Sequence, residues 1–369
     1  MEKIKRFIEC YIPIEACNFK CHYCYISQHG GLSNKINKLT HSSQYIAQAL
    51  SKRRMGGVCV INLCAWGETL ISEEILDVIR ALLEEGHYVM VVTNGSLTNR
   101  FEKIAEFPKK ILNHLFFKFS FHYLELIRLN ILDTFFNNVK MMQNAGASFT
   151  IEITPTDELE PYIDEIKEVT IRNLGALPHM TIARVDSGEI LPLTNHKVEE
   201  YYNIWGQFNS DLFNFKKEIF GVKRREFCYA GEWSICVDLL SGEYRQCYGS
   251  MILGNIYKNI KKPLKFIPIG CNCIQPHCYN GHAFIGFGNI PEIETPTYAQ
   301  MRNRVQNDGK EWITKDMKEI MQTKLGESNK QYNKRKQKII NQKNICMLTR
   351  IKIKEKIKRQ LLLNKKKDV

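Results

Sequence analysis

The sequence contains no uninterrupted apolar run of the ~18–20 residues needed to cross a bilayer. Its first residues, MEKIKRFIECYIP, include charges but neither a long apolar stretch nor a small-residue cleavage site, so a secretory leader is not expected. Proline (11) and glycine (22) are too sparse in 369 residues for a collagen-like or low-complexity chain. Charge of one sign is also missing from most of the molecule. Residues 328–369 hold 15 of the 52 Lys and Arg and 2 of the 39 Asp and Glu, which accounts for the whole net charge of +13. The remaining body is neutral, and nothing in it suggests specific nucleic-acid binding.

Cysteine, by contrast, is plentiful. There are 13, an odd number, with three in residues 17–24 and six in residues 228–278. A chain without secretory marks has little use for a disulfide framework, so these clusters point to metal or iron–sulfur ligation in a reducing cytosol. Cys10, Cys59 and Cys64 sit in or beside apolar strands and read as buried packing residues.

The organisation of the first half is repetitive. Strands are expected at 7–12, 58–63, 88–93, 115–121, 148–154 and 179–185. Between them lie helices near 42–53, from Ser72 to Gly86, over 124–143 and over 157–172. About six strands alternating with helices imply a parallel sheet, and periodicity does not distinguish an open sheet from a barrel. The alternation stops near residue 190. We divide the chain into a 1–190 core, a 191–226 helical bridge, a 227–300 cysteine-rich domain, 301–327 C-terminal helices and a 328–369 basic tail. Within the tail, Ile353, Ile357 and Leu361 make an apolar stripe among lysines, a pattern suited to a membrane surface, an acidic partner or plain solvent.

Residues 17–25 read CNFKCHYCY, placing Cys17, Cys21 and Cys24 on the loop after the first strand. Three thiolates leave one iron of a four-iron cluster open to a small molecule; zinc prefers four ligands, and only His22 lies near in sequence to complete a set. This Cys-x3-Cys-x2-Cys pattern, with Tyr23 before the last cysteine, resembles the signature of the radical S-adenosylmethionine superfamily. Ala65-Trp66-Gly67-Glu68-Thr69 is similar to the family's Gly-Gly-Glu motif, with Trp66 in place of its first glycine. The resemblance, over roughly residues 5–190, implies a partial (β/α)6 TIM-like barrel with the site at the C-terminal ends of its strands. It also implies a 4Fe–4S cluster on Cys17, Cys21 and Cys24, and cofactor contacts at Tyr23, Gly67, Glu68, Asn94, Ser120 and His122. The structural alternatives are a turn at Gly67 and Thr93-Asn94-Gly95, a helix-start acid at Glu68, and hydrogen-bonded strand ends at Ser120 and His122. The implied chemistry is reductive cleavage of S-adenosylmethionine to a 5′-deoxyadenosyl radical that abstracts hydrogen from a substrate, with a flavodoxin- or ferredoxin-type electron donor.

The second cluster opens with Cys228, Gly242 and Cys247 and resembles the auxiliary-cluster domains called SPASM and twitch. CNCIQPHCYNGH then supplies Cys271, Cys273 and Cys278, with His282 where a further cysteine is expected. One auxiliary 4Fe–4S cluster on Cys228, Cys247, Cys273 and Cys278 is the simplest count. Cys271 is an alternative to Cys273, structural zinc an alternative occupant, and Cys236 a packing residue. The resemblance implies peptide or protein modification as the activity. Oxidation of a carbohydrate or other small molecule is the second reading, and a non-catalytic electron-transfer protein the third. Lys118, Glu152 and Arg184 are polar residues on strands and are expected to face the cavity if the register turns them inward. The expected location is the cytoplasm, with the inner membrane surface as the alternative if the tail binds lipid.

Overall fold

The computed structural model describes residues 2–186 and 190–365, with side chains described as far as Arg350. The apolar stripe Ile353, Ile357 and Leu361 therefore lies outside the described side chains. Six parallel strands follow one another across a sheet in chain order: β1 (Arg6–Ile12), β2 (Cys59–Ala65), β3 (Tyr88–Thr93), β4 (Leu115–Ser120), β5 (Ser148–Ile153) and β6 (His179–Met180). The register runs from Arg6 opposite Cys59 to Ile12 opposite Ala65, and on to Glu152 opposite His179. The strands are apolar on both faces because helices cover the outside while later segments fill the inside.

Strand alternation sorts each side chain. Ile8, Ile61, Val91, Phe117 and Ile151 face outward and pack against the surrounding helices. Phe7, Val60, Met90 and Phe116 face inward and form an apolar floor with Trp233, Phe284, Phe287 and Tyr298. Two residues further along each strand, the inward positions are Glu9, Asn62, Val92, Lys118 and Glu152. All five line one cavity of about 810 Å³ above that floor. The barrel is thus plugged at its N-terminal end and polar near its C-terminal end.

The small β7 (Arg184–Val185) and β8 (Leu191–Pro192) pair with each other, outside the main sheet. The cysteine-rich segment then returns to the core. β9 (Ser234–Asp238) lies parallel to β1, from Phe7 opposite Ser234 to Tyr11 opposite Asp238. β10 (Glu243–Arg245) and β11 (Ile252–Asn255) extend the sheet antiparallel beyond it, giving nine strands in one sheet. The β9–β10 turn needs Gly242, whose φ of 73° is left-handed and where a Cβ would overlap the Tyr257 ring. The helix Lys334–Lys365 begins on this segment, with the Asn344 amide donating to the Pro268 and Ile269 carbonyls. Among the described residues, no helix is long and apolar enough to cross a membrane.

Several expected elements differ in detail. The helix expected over 124–143 is two, Tyr123–Arg128 and Leu132–Ala145, broken at left-handed Asn130 (φ 54°). The strand expected over 179–185 ends at Met180, because Arg184 and Val185 turn to pair with β8. Ser72 does not cap through its hydroxyl; the helix Glu74–Glu84 starts after Glu73, and Ser72 donates to the Glu74 carboxylate instead.

Candidate active site

The loop carrying Cys17, Cys21 and Cys24 is held by the residues between them. Asn18 accepts from the Asn94 amide at 2.8 Å and donates to Ser96 at 2.8 Å. Phe19 is buried edge-on against His122. The Lys20 backbone N–H donates to Glu125 at 2.7 Å, and that carboxylate is fixed by Arg128 at 2.7 Å. The Tyr23 hydroxyl meets His122 Nδ1 at 2.7 Å. The side chains of Asn18, Phe19 and Tyr23 and the backbone N–H of Lys20 are committed to scaffolding, while the three cysteines are left as the loop's soft donors. His22 points elsewhere, to Glu158 at 2.7 Å.

The preceding segment is locked in the same way. Gly67 N–H donates to Ile14 O, and Glu68 N–H donates to Ala16 O, each at 2.9 Å. A Cβ at residue 67 would overlap the Ala16 carbonyl, so only glycine lets the end of β2 pass beside the approach to Cys17. The Glu68 carboxylate, 3% exposed, accepts from Thr93 Oγ1 (2.7 Å), Asn94 N–H (2.7 Å) and Leu70 N–H (3.0 Å). Burial raises its pKa, and these three donors pull in the opposite direction, favouring the ionised form.

Burial also pushes the Cys17 thiol up to about 11 and Cys21 up to about 12, with neighbouring cysteines of the triad adding to each shift. One zinc ion, at about 2.3 Å from each sulfur, draws its ligands to within roughly 4 Å of one another. Among the described residues, only Asp157, Glu160 and His196 lie within 4.8 Å of one another as a candidate single-ion group; neither cysteine cluster does. Three thiolates on one loop are a donor set that fits an iron–sulfur cluster with one iron left open.

Of the six residues expected to touch the cofactor, only Tyr23 lines the cavity. Asn94 and His122 hold the cysteine loop, Gly67 and Glu68 hold its approach, and Ser120 lies one inward position beyond Lys118 on β4. Burial lowers the His122 pKa to about 4, so its imidazole is neutral.

The second cysteine cluster is assembled by a bridge between Cys228 and Gly270, whose backbones exchange hydrogen bonds. Lys223 clamps the following loop through the Cys273 and Gln275 carbonyls. Cys228, Cys247, Cys273 and Cys278 all pack against the inner core. Burial raises the pKa values of Cys228 and Cys278, with other cysteines of this foursome adding to each, and contact with Cys236, then burial and Cys273, raises that of Cys247. Cys271 is exposed, its N–H donating to Asn341 on the C-terminal helix. Cys236 is buried beside Cys247 and also lines the cavity, as does Cys64; Cys10 and Cys59 are buried on the helix side.

The cavity joins the two halves. Trp66 and Tyr23 line it from the core, and Tyr248, Tyr279 and Asn280 line it from segments that carry Cys247 and Cys278. Lys118 and Glu152 face it, as their strand positions led us to expect, and Arg184 lines it from β7, outside the main sheet. Glu9 was not foreseen, although a lone acid in the apolar strand FIECYI gives the same signal as Lys118 in LFFKFS. It accepts from the Asn62 amide at 2.8 Å and the Asn280 amide at 3.0 Å, and burial lifts its pKa to about 7. Lys216 and His282 also line the cavity, and a sequence pattern gives no sign that distant helices deliver them there.

Residues 11–168 match the family described as the Radical SAM superfamily. Similar solved structures include Streptococcus suis SuiB bound to S-adenosylmethionine, at 15% identity and TM-score 0.48, covering 69% of this chain and 65% of that one. Another is native anSMEcpe with bound AdoMet, at 15% identity and TM-score 0.47, covering 68% of this chain and 78% of that one. The chain thus spans about two thirds of the SuiB length. No curated protein matches in sequence.

Proposed function

We propose, of a chain that carries a radical SAM superfamily domain over residues 11–168, that it abstracts hydrogen from a peptide-like substrate held in the barrel cavity. The family implies a 4Fe–4S cluster, S-adenosylmethionine and an electron donor. Cys17, Cys21 and Cys24 would hold the cluster, and S-adenosylmethionine would lie between their loop and the cavity wall formed by Tyr23, Trp66 and Val92. When bound, these groups supply a 5′-deoxyadenosyl radical.

The observation that carries the reading is the junction itself: a braced three-cysteine loop at the C-terminal end of a parallel barrel, whose Tyr23 lines a cavity of about 810 Å³. The protein's own contribution is positional. Asn18, Tyr23, His122 and Glu125 fix the loop, while Gly67 and Glu68 fix its approach. Tyr11, Tyr25, Tyr248 and Tyr279 line the cavity and offer it aromatic surface. The volume suits a short stretch of side chains, at the upper end of ordinary ligand sites. Cys228, Cys247, Cys273 and Cys278 would hold one auxiliary cluster behind Tyr248, and their mutual proximity supports that set over one containing Cys271.

The test is 5′-deoxyadenosine formation. Full-length protein, reconstituted anaerobically with iron and sulfide and reduced with dithionite, should convert S-adenosylmethionine to 5′-deoxyadenosine and methionine in equal amounts. Reconstituted, reducible protein that forms neither would overturn the proposal.

A further inference from the structure

The charges in the inner cavity do not balance locally. Glu152 is engaged by Arg302 at 2.9 Å, with the guanidinium fully buried. That pairing keeps the Glu152 carboxyl low, at about 2, despite burial. Glu9 is served by two neutral amides, and Arg184 by Asp186 at 3.4 Å and the Tyr25 ring at 4.3 Å. Lys118 and Lys216 have no hydrogen-bond or ion-pair partner among the described residues. His282 has two buried ring nitrogens, neither partnered. These three side chains come from a strand, from the helix Asp211–Ile219 and from the helix Gly281–Phe284, and all three line the same cavity.

The three are also electrostatic neighbours. Burial, and after it Arg302, Lys216, Lys118 and Arg184, disfavour a proton on His282, so its imidazole is neutral, with one N–H to donate. Burial with nearby cations brings Lys216 down to about 7, whereas the carboxylates around Lys118 keep that ammonium charged. Lys216 and Glu9 are both drawn toward their neutral forms by burial, which leaves Lys118, Arg184 and Arg302 set against Glu152 and Asp186. Neither lysine spends its ammonium on a direct hydrogen bond, so both are free to donate to an anion that enters the cavity.

We propose that Lys118, Lys216 and His282 form a subsite for an anionic oxygen group of the substrate, a carboxylate or a phosphate. The inference rests on the cavity being the substrate site. It adds that the substrate enters with a negatively charged end toward the barrel floor. Lys118 and Lys216 would supply charge-assisted donors, His282 a neutral one, and the tyrosine walls would enclose the remainder of the molecule.

Binding is measured by calorimetry on the reconstituted full-length protein, with inorganic phosphate and glutarate as separate probes. The expected result is one saturable site per chain for at least one probe, and the tighter probe identifies the group as phosphate or carboxylate. Lys118→Met and Lys216→Met should each weaken that probe about tenfold to a hundredfold, the value of one charge-assisted hydrogen bond. Lys118→Arg, which keeps the charge and reports on folding, should retain binding within a few fold. Lack of saturable binding of both probes by the wild type, or equal affinity in wild type and both Met variants, would overturn the subsite. Wild-type 5′-deoxyadenosine formation is scored on the same preparation, so failure of the radical reading is distinguishable from failure of the anion site.

Discussion

Replacing Cys17, Cys21 and Cys24 together with alanine is expected to remove about four irons per chain and to abolish 5′-deoxyadenosine formation. The size of the effect follows from the absence of substitutes near the loop. His22 is turned to Glu158, and the Tyr23 hydroxyl is spent on His122. The Glu68 and Glu125 carboxylates already accept three donors and two neighbouring groups, respectively. The fold should survive the change. The loop is braced by Asn18, Phe19, Lys20 and Tyr23 rather than by the cysteines, and the sheet on either side is fully paired. Circular dichroism should therefore match the wild type while iron falls. Undiminished S-adenosylmethionine cleavage by the triple variant would remove the assignment.

The second large effect concerns the other cysteines. Cys228, Cys247, Cys273 and Cys278 changed together to alanine should cost about four further irons, from a wild-type total near eight. Cys271→Ala should cost none, because Cys271 is exposed and its backbone faces Asn341, away from the packed foursome. Metal analysis separates the outcomes. Loss of iron in Cys271→Ala would exchange ligands within the set. One tightly bound zinc in place of the iron would make the site structural.

Much of this arrangement was legible because it obeys short-range rules. The parallel order of β1 to β6 follows from apolar strands alternating with helices, and Gly86 and Gly146 stand at left-handed helix ends where their sequence places them. What local pattern does not encode is contact across the chain. The return of β9 to pair with β1 joins residues more than 220 apart, so the cysteine-rich segment reads as separate in sequence yet extends the core sheet. The roles of Asn94 and His122 were hidden for the same reason. Their positions at strand ends are visible, but their attachment to Asn18 and Tyr23 appears only when the loop is folded over them. The break at Asn130 was missed because the apolar spacing continues across it. Lys216 and His282 enter the cavity from outside the repeating half, where sequence alternation has no bearing.

The central claim is that Cys17, Cys21 and Cys24 leave one iron of a four-iron cluster open to S-adenosylmethionine. Electron paramagnetic resonance of the dithionite-reduced protein tests it most directly, using the Cys228, Cys247, Cys273 and Cys278 alanine variant so that only the first cluster contributes. The account predicts a reduced-cluster signal that changes on adding S-adenosylmethionine, because the cofactor binds the open iron. A reduced-cluster signal identical with and without S-adenosylmethionine would contradict it.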